Sequence, residues 1–231
     1  MSHPKPSRLI VPGALTAANI VTGFLAMVAA AEDRFDTAVY LLMAAIILDI
    51  LDGRVARILK ATSKFGQELD SFSDALSFGA APAFLVHRAL FAEIGPIGIG
   101  ISATYLLAAI LRLARFNLTS DVHQKAPRTT GLPSPIGAGY LMALTLMRDE
   151  IPLAISASLV VVIAVLMVSR IPLPEVTSGP AVAATLFIGL GNYLAVVVYP
   201  NWYTVGWWSL WNVVILLVAR ATGRRSADST G

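Results

Sequence analysis

The chain contains no cysteine, and charged residues make up only 13% of its 231 positions. Without cysteine there is no disulfide, no thiolate nucleophile and no thiolate metal site. The three histidines, His3, His87 and His123, are scattered and form no ligand pattern. A soluble domain carries about 25% charged residues. Here 56% of residues are hydrophobic and the mean hydropathy is +0.73, so the apolar surface is meant for lipid as much as for a core. The net charge of +3 is modest, and no nucleic-acid partner is expected.

The abundant feature is the long apolar run. A helix needs about 20 apolar residues to cross a bilayer. Eight runs qualify: Leu15–Ala31, Ala38–Leu59, Gly66–Leu90, Ile94–Leu113, Leu132–Met147, Ile151–Val168, Gly179–Tyr199 and Tyr203–Ala219. The fifth is short and the third carries polar residues, so the fold class is an all-α membrane bundle of six to eight helices. No cleavage site follows the first run, which is expected to be a retained helix. Residues 15–220 are expected to form one transmembrane domain, with segments 1–14 and 221–231 in the cytoplasm. With the N-terminus inside, only Arg34, Arg88 and Arg148 of the 17 lysines and arginines fall outside. That asymmetry follows the positive-inside rule and supports an even helix count. Trp202, Trp207, Trp208 and Trp211 cluster near the last outside turn, where an interfacial aromatic belt is expected.

Against this background the stretch "LDILDGRVARILKATSKFGQELDSFSD" is unusual. Asp49, Asp52, Gly53, Ala56 and Arg57 fall on one face at 3.6 residues per turn. Gly66, Asp70 and Asp74 are spaced by four on the next helix. Two adjacent helices can thus direct four carboxylates into one space near the cytoplasmic surface. Close carboxylates in a low-dielectric setting repel one another and call for cations among them. All-oxygen ligands favour hard divalent ions such as Mg²⁺ or Mn²⁺. Gly53 and Ala56 leave room for a substrate, and Arg57 offers a planar donor for phosphate. Carboxylates, divalent metal and arginine are the parts of phosphoryl-group transfer. The plainer alternative is that the aspartates pair with Arg54, Arg57, Lys60 and Lys64.

The pattern D-x2-D-G-x2-A-R-x8-G-x3-D-x3-D is complete from Asp49 to Asp74. It resembles the signature of the CDP-alcohol phosphotransferases. The resemblance implies a two-ion metal site held by Asp49, Asp52, Asp70 and Asp74, with Asp74 also the general base. It places Gly53, Arg57 and Ser63 against the CDP part of the donor, with Ala56 and Gly66 at the same face. It also implies a homodimer in a cell membrane, with the active site facing the cytoplasm.

Two further stretches resemble the serine-using branch of that family. In "VPGALTAAN", Pro12, Thr16 and Asn19 match a P-x3-T-x2-N opening, with Gly13 where asparagine is usual. The functional reading of Thr16 and Asn19 is contact with the donor cytidine; the alternative is bonding to a neighbouring helix. The second stretch is "RLARFNLTSDVHQKAPRTTGLPSPIGAGY", Arg112 to Tyr140, in which "RFN" is followed by a polar basic loop and "GLPSP". There Arg115, Lys125 and Arg128 are candidates to receive an acceptor carboxylate or a lipid phosphate, or are ordinary inside charge. Gly131, Pro133 and Pro135 are expected to shape a helix entry. The implied substrates are CDP-diacylglycerol and L-serine. A glycerol 3-phosphate or inositol phosphate acceptor is the alternative within the family, and a metal-ion transporter the alternative outside it.

Overall fold

The computed structural model describes residues 6–61, 63–120, 130–171 and 179–228, with side chains over 10–61, 63–118, 130–171 and 188–215. These form eight helices: α1 Pro6–Ala31, α2 Phe35–Ile58, α3 Lys64–Ile94, α4 Pro96–Ser120, α5 Ser134–Leu146, α6 Leu153–Val168, α7 Gly179–Val198 and α8 Trp202–Asp228. Their order matches the eight apolar runs. Three of them are long and apolar enough to cross a bilayer: Ile10–Ala31, Lys64–Ile94 and Pro96–Leu118. The chain is a helical membrane protein.

α1 and α2 pair as an antiparallel hairpin over small residues. Ala26, Ala29 and Ala30 meet Ala38, Leu42 and Ala45, all buried, and small side chains let the backbones approach closely. The connecting turn places Asp33 at φ 58°, a left-handed conformation that aspartate tolerates better than most residues. α3 packs across this hairpin. It begins as α-helix to Asp74, loosens into a π-helical stretch over Ala75–Ala80, and does so again at His87–Phe91. π-turns of this kind are frequent beside functional sites. In the first one, buried Ser77 donates to the Asn19 carbonyl of α1 (3.2 Å). A Cβ on Gly23 would collide with Ser77, so Gly23 allows the close contact.

α5 has 13 residues and spans about 20 Å, short of the roughly 30 Å hydrocarbon core. It is interior instead: Ala138, Leu141, Met142, Ala143 and Leu144 are all buried, and apolar character all round suits a helix enclosed by others. α4 runs past the expected Leu113 to Ser120, because nothing between Arg112 and Ser120 is a helix breaker. The aromatic belt is only half present. Trp202 and Trp207 are exposed, but Trp208 is buried between Tyr140 and Tyr193, with ring centroids at 4.4 and 5.0 Å. A period of 3.6 residues cannot keep four tryptophans within ten positions on one side of a helix.

Candidate active site

The site starts from the end of α2. Lys60 lies at φ 50°, its N–H meets the Arg57 carbonyl (3.2 Å), and the Ala61 N–H meets the Ala56 carbonyl (2.9 Å). This is a Schellman-type helix stop with lysine in the left-handed position that glycine usually fills. It folds the chain back so that Ala61 is buried. Ser63 then caps α3, its hydroxyl accepting from the Gly66 N–H (3.0 Å). The two aspartate-bearing helix ends are thereby held side by side.

Between them and the start of α1 lies a cavity of about 720 Å³. Thr16, Asp49, Asp52, Gly53, Ala56, Arg57, Ser63, Gly66, Asp70 and Asp74 all line it. Asp49, Asp70 and Asp74 each present a carboxylate oxygen, and these lie within 4.8 Å of one another. Asp52 is a helical turn along, where Thr16 Oγ1 lies 2.8 Å from its Oδ2. The same hydroxyl lies 3.0 Å from the Pro12 carbonyl, and its single proton serves one acceptor at a time.

Among the described residues, no ion pair joins the four aspartates to a lysine or arginine. Ion pairs among the described residues are Arg34–Glu32, Arg88–Asp33 and Arg148–Asp149, none of which involves the four. Asp74 Oδ1 is buried without a hydrogen-bond partner among the described residues. A buried carboxylate oxygen left so is costly. Three converging carboxylates, one with an unpartnered oxygen, are a donor set that fits a hard divalent metal. Gly53 is informative in another way. A Cβ there would meet nothing nearer than Arg57 Nη2 at 4.0 Å, so protein packing does not demand glycine. The space beside Gly53 is cavity.

Two expected contacts lie elsewhere. Asn19 is fully buried below the cavity, and neither amide atom has a partner among the described residues. Arg115 points toward the end of α6. Its Nη1 donates to the Val168 carbonyl (2.8 Å), and Nη2 lies within reach of the Thr130 (3.1 Å), Ser169 (3.1 Å) and Met167 (3.5 Å) carbonyls. It satisfies carbonyls that a helix end leaves open. Lys125 lies outside the described residues. Gly131 belongs to the same clamp: its φ is +76°, its N–H meets the Ile171 carbonyl (3.0 Å), and a Cβ would strike the Met167 carbonyl. So "GLP" shapes the entry to α5.

One residue was missed as a site candidate. Arg112, counted in the sequence only as inside charge, lies close enough to Asp74 for their charges to interact. Its Nη1 donates to buried Ser134 Oγ (3.0 Å). Its signal was its place at the head of the "RLARFN" stretch.

A helical membrane protein whose apolar bundle holds a carboxylate-lined cavity at one end belongs to a narrow class. Residues 9–169 match the CDP-alcohol phosphatidyltransferase family, and the chain belongs to that family of transferases. It is 34% identical over 172 residues to a CDP-diacylglycerol–serine O-phosphatidyltransferase of Helicobacter pylori, covering 72% of each chain. It is 34% identical over 165 residues to the Bacillus subtilis protein of the same name, covering 71% of this chain and 90% of the relative. It is 33% identical over 172 residues to an archaetidylserine synthase of Methanothermobacter thermautotrophicus, covering 74% of this chain and 72% of the relative.

Proposed function

We propose that the protein transfers the phosphatidyl group of CDP-diacylglycerol to the hydroxyl of L-serine, giving phosphatidylserine and CMP. The observation that carries this reading is the cavity in which Asp49, Asp70 and Asp74 converge beside Gly53 and Arg57. The names of the H. pylori and B. subtilis relatives support serine as the acceptor.

Asp49, Asp52, Asp70 and Asp74 would hold two divalent ions, Mg²⁺ or Mn²⁺. When bound, these neutralise the donor diphosphate and favour departure of CMP. Arg57 and the Ser63 end of α3 receive the nucleotide phosphates, and the missing side chain of Gly53 lets the donor lie against α2. Thr16 orients Asp52 through its hydrogen bond. Asp74 accepts the proton of the serine hydroxyl as its oxygen attacks the phosphatidyl phosphorus. The new oxygen–phosphorus bond forms as the bond to the CMP oxygen breaks. Exposed Ile10 and Phe65 at the cavity edge suit the acyl chains, which stay in the bilayer.

In this reading the chain forms one catalytic domain whose first and last helices run beyond the expected limits of 15 and 220, to Pro6 and Asp228, and both chain ends and the active site face the cytoplasm. The separation of the Arg34, Arg88 and Arg148 contacts from the basic turn at Arg54–Lys64 supports that orientation. Two chains pair as a homodimer, as the resemblance implies. The test is CMP release from CDP-diacylglycerol with L-serine, glycerol 3-phosphate or an inositol phosphate supplied in turn. Serine alone should support release; release only with another acceptor would refute the assignment.

A further inference from the structure

The lining of the cavity comes from α1, α2, the turn after α2 and the start of α3. Asp74 stands at its inner wall, and on the side where α3 meets α4 and α5 there is a second polar arrangement. Asn117 Nδ2 of α4 donates to Ser71 Oγ of α3 (3.0 Å). One turn deeper along the same antiparallel seam, Asp74 and Arg112 interact through their charges without forming an ion pair. Ser134, fully buried at the first turn of α5, fixes one arm of the guanidinium (3.0 Å). The Arg112 Nε–H is buried and has no partner among the described residues, and neither has Asp74 Oδ1. A buried donor and a buried acceptor, both unsatisfied and set on facing helices, mark a place where something polar is missing.

The geometry points to an acceptor subsite at this α3–α4–α5 seam, in which Arg112, held by Ser134, receives the carboxylate of the acceptor amino acid while Asp74 faces its hydroxyl. The inference rests on the serine-transferase reading and adds the residue that selects the acceptor. L-serine carries the two groups that the seam lacks: a carboxylate for the guanidinium, and a hydroxyl whose proton goes to Asp74. A guanidinium edge suits a carboxylate because its N–H groups are planar and always charged. In-line displacement sets the attacking serine oxygen and the departing CMP oxygen on opposite sides of the phosphatidyl phosphorus, and an acceptor site separate from the α1–α2 lining suits that step. Arg115 is not available for this task in the same way, since its guanidinium is spent on the carbonyls at the end of α6.

The experiment uses the purified full-length chain with CDP-diacylglycerol in mixed micelles and reads CMP release. L-serine is compared with L-serine methyl ester, which keeps the hydroxyl and amine but has no carboxylate. The wild type should prefer serine by roughly 10- to 100-fold in kcat/KM, the range of one charge-assisted contact. Arg112→Gln should raise the serine KM by a similar factor, remove the preference, and leave the CDP-diacylglycerol KM within about twofold. Ser134→Ala, which removes only a hydroxyl, should raise the serine KM roughly threefold to tenfold. It decides the matter with the wild-type preference if Arg112→Gln does not fold. Equal use of serine and its methyl ester by the wild type would overturn the subsite, as would an unchanged serine KM in folded Arg112→Gln. If the wild type instead releases no CMP with serine but does so with glycerol 3-phosphate, the serine reading itself has failed.

Discussion

The two ends of the bundle use the same residue types in opposite ways. At the end that holds the α1–α2 turn, each of Arg34, Arg88 and Arg148 has a partner. Arg88 Nη2 meets Asp33 (2.6 Å), Arg34 meets Glu32 (3.1 Å), and Arg148 lies 5.4 Å from the Phe35 ring centre. At the other end four aspartates line one cavity, and none is ion-paired to a lysine or arginine among the described residues. The first end is mostly exposed, where an ion pair contributes little. The second lies against apolar helices, where unmatched charge is expensive and is kept only for a ligand. The residue types alone do not separate a tether from a site. Burial and the lack of a protein partner do.

Four measurements sharpen or break this contrast. The largest effect belongs to Asp74→Asn, which keeps the shape and removes the proposed proton acceptor. CMP release should fall by roughly 10²- to 10⁴-fold with the thermal midpoint nearly unchanged, and full activity would remove Asp74 from the chemistry. Next is metal removal. Exhaustive chelation should abolish release, and added Mg²⁺ or Mn²⁺ should restore it; unimpaired turnover would mean that the cluster is not a metal site. Gly53→Ala comes third, a single methyl placed into the cavity. It should raise the CDP-diacylglycerol KM roughly tenfold without loss of stability, since nothing in the protein contacts the added carbon. A drop in thermal midpoint with an unchanged KM would make Gly53 a packing residue. The smallest change is Arg88→Ala at the matched end, which should cost about 0–1 kcal/mol and leave CMP release intact. Loss of activity there would erase the distinction between the ends.

Much of this was legible in the chain. Helix order followed from apolar runs because a bilayer demands long ones, and the spacing of 3.6 residues per turn anticipated that the four aspartates line one cavity, although only Asp49, Asp70 and Asp74 converge and Asp52 stands a turn along. Thr16 also lines the cavity, against Asp52. What the sequence did not disclose were relations between helices distant in the chain. Arg115 and Arg112 are three residues apart and look alike, yet one turns to the carbonyls of α6 and the other to Ser134 and Asp74. Only the packing of α4 against α5 and α6 separates them. Asn19, matched to the same motif as Thr16, points one turn deeper than the cavity reaches. Trp208 is drawn inward by Tyr140 and Tyr193, whose positions are set by other helices.

The central claim is that the unmatched carboxylates exist to hold metal. It is tested most directly by counting Mn²⁺ bound to the purified protein by electron paramagnetic resonance, beside Asp49→Asn and Asp70→Asn variants. The account predicts about two ions on the wild type, with binding weakened by roughly tenfold or more in each variant. Equal Mn²⁺ binding by wild type and both variants, or none by folded wild type, would contradict it.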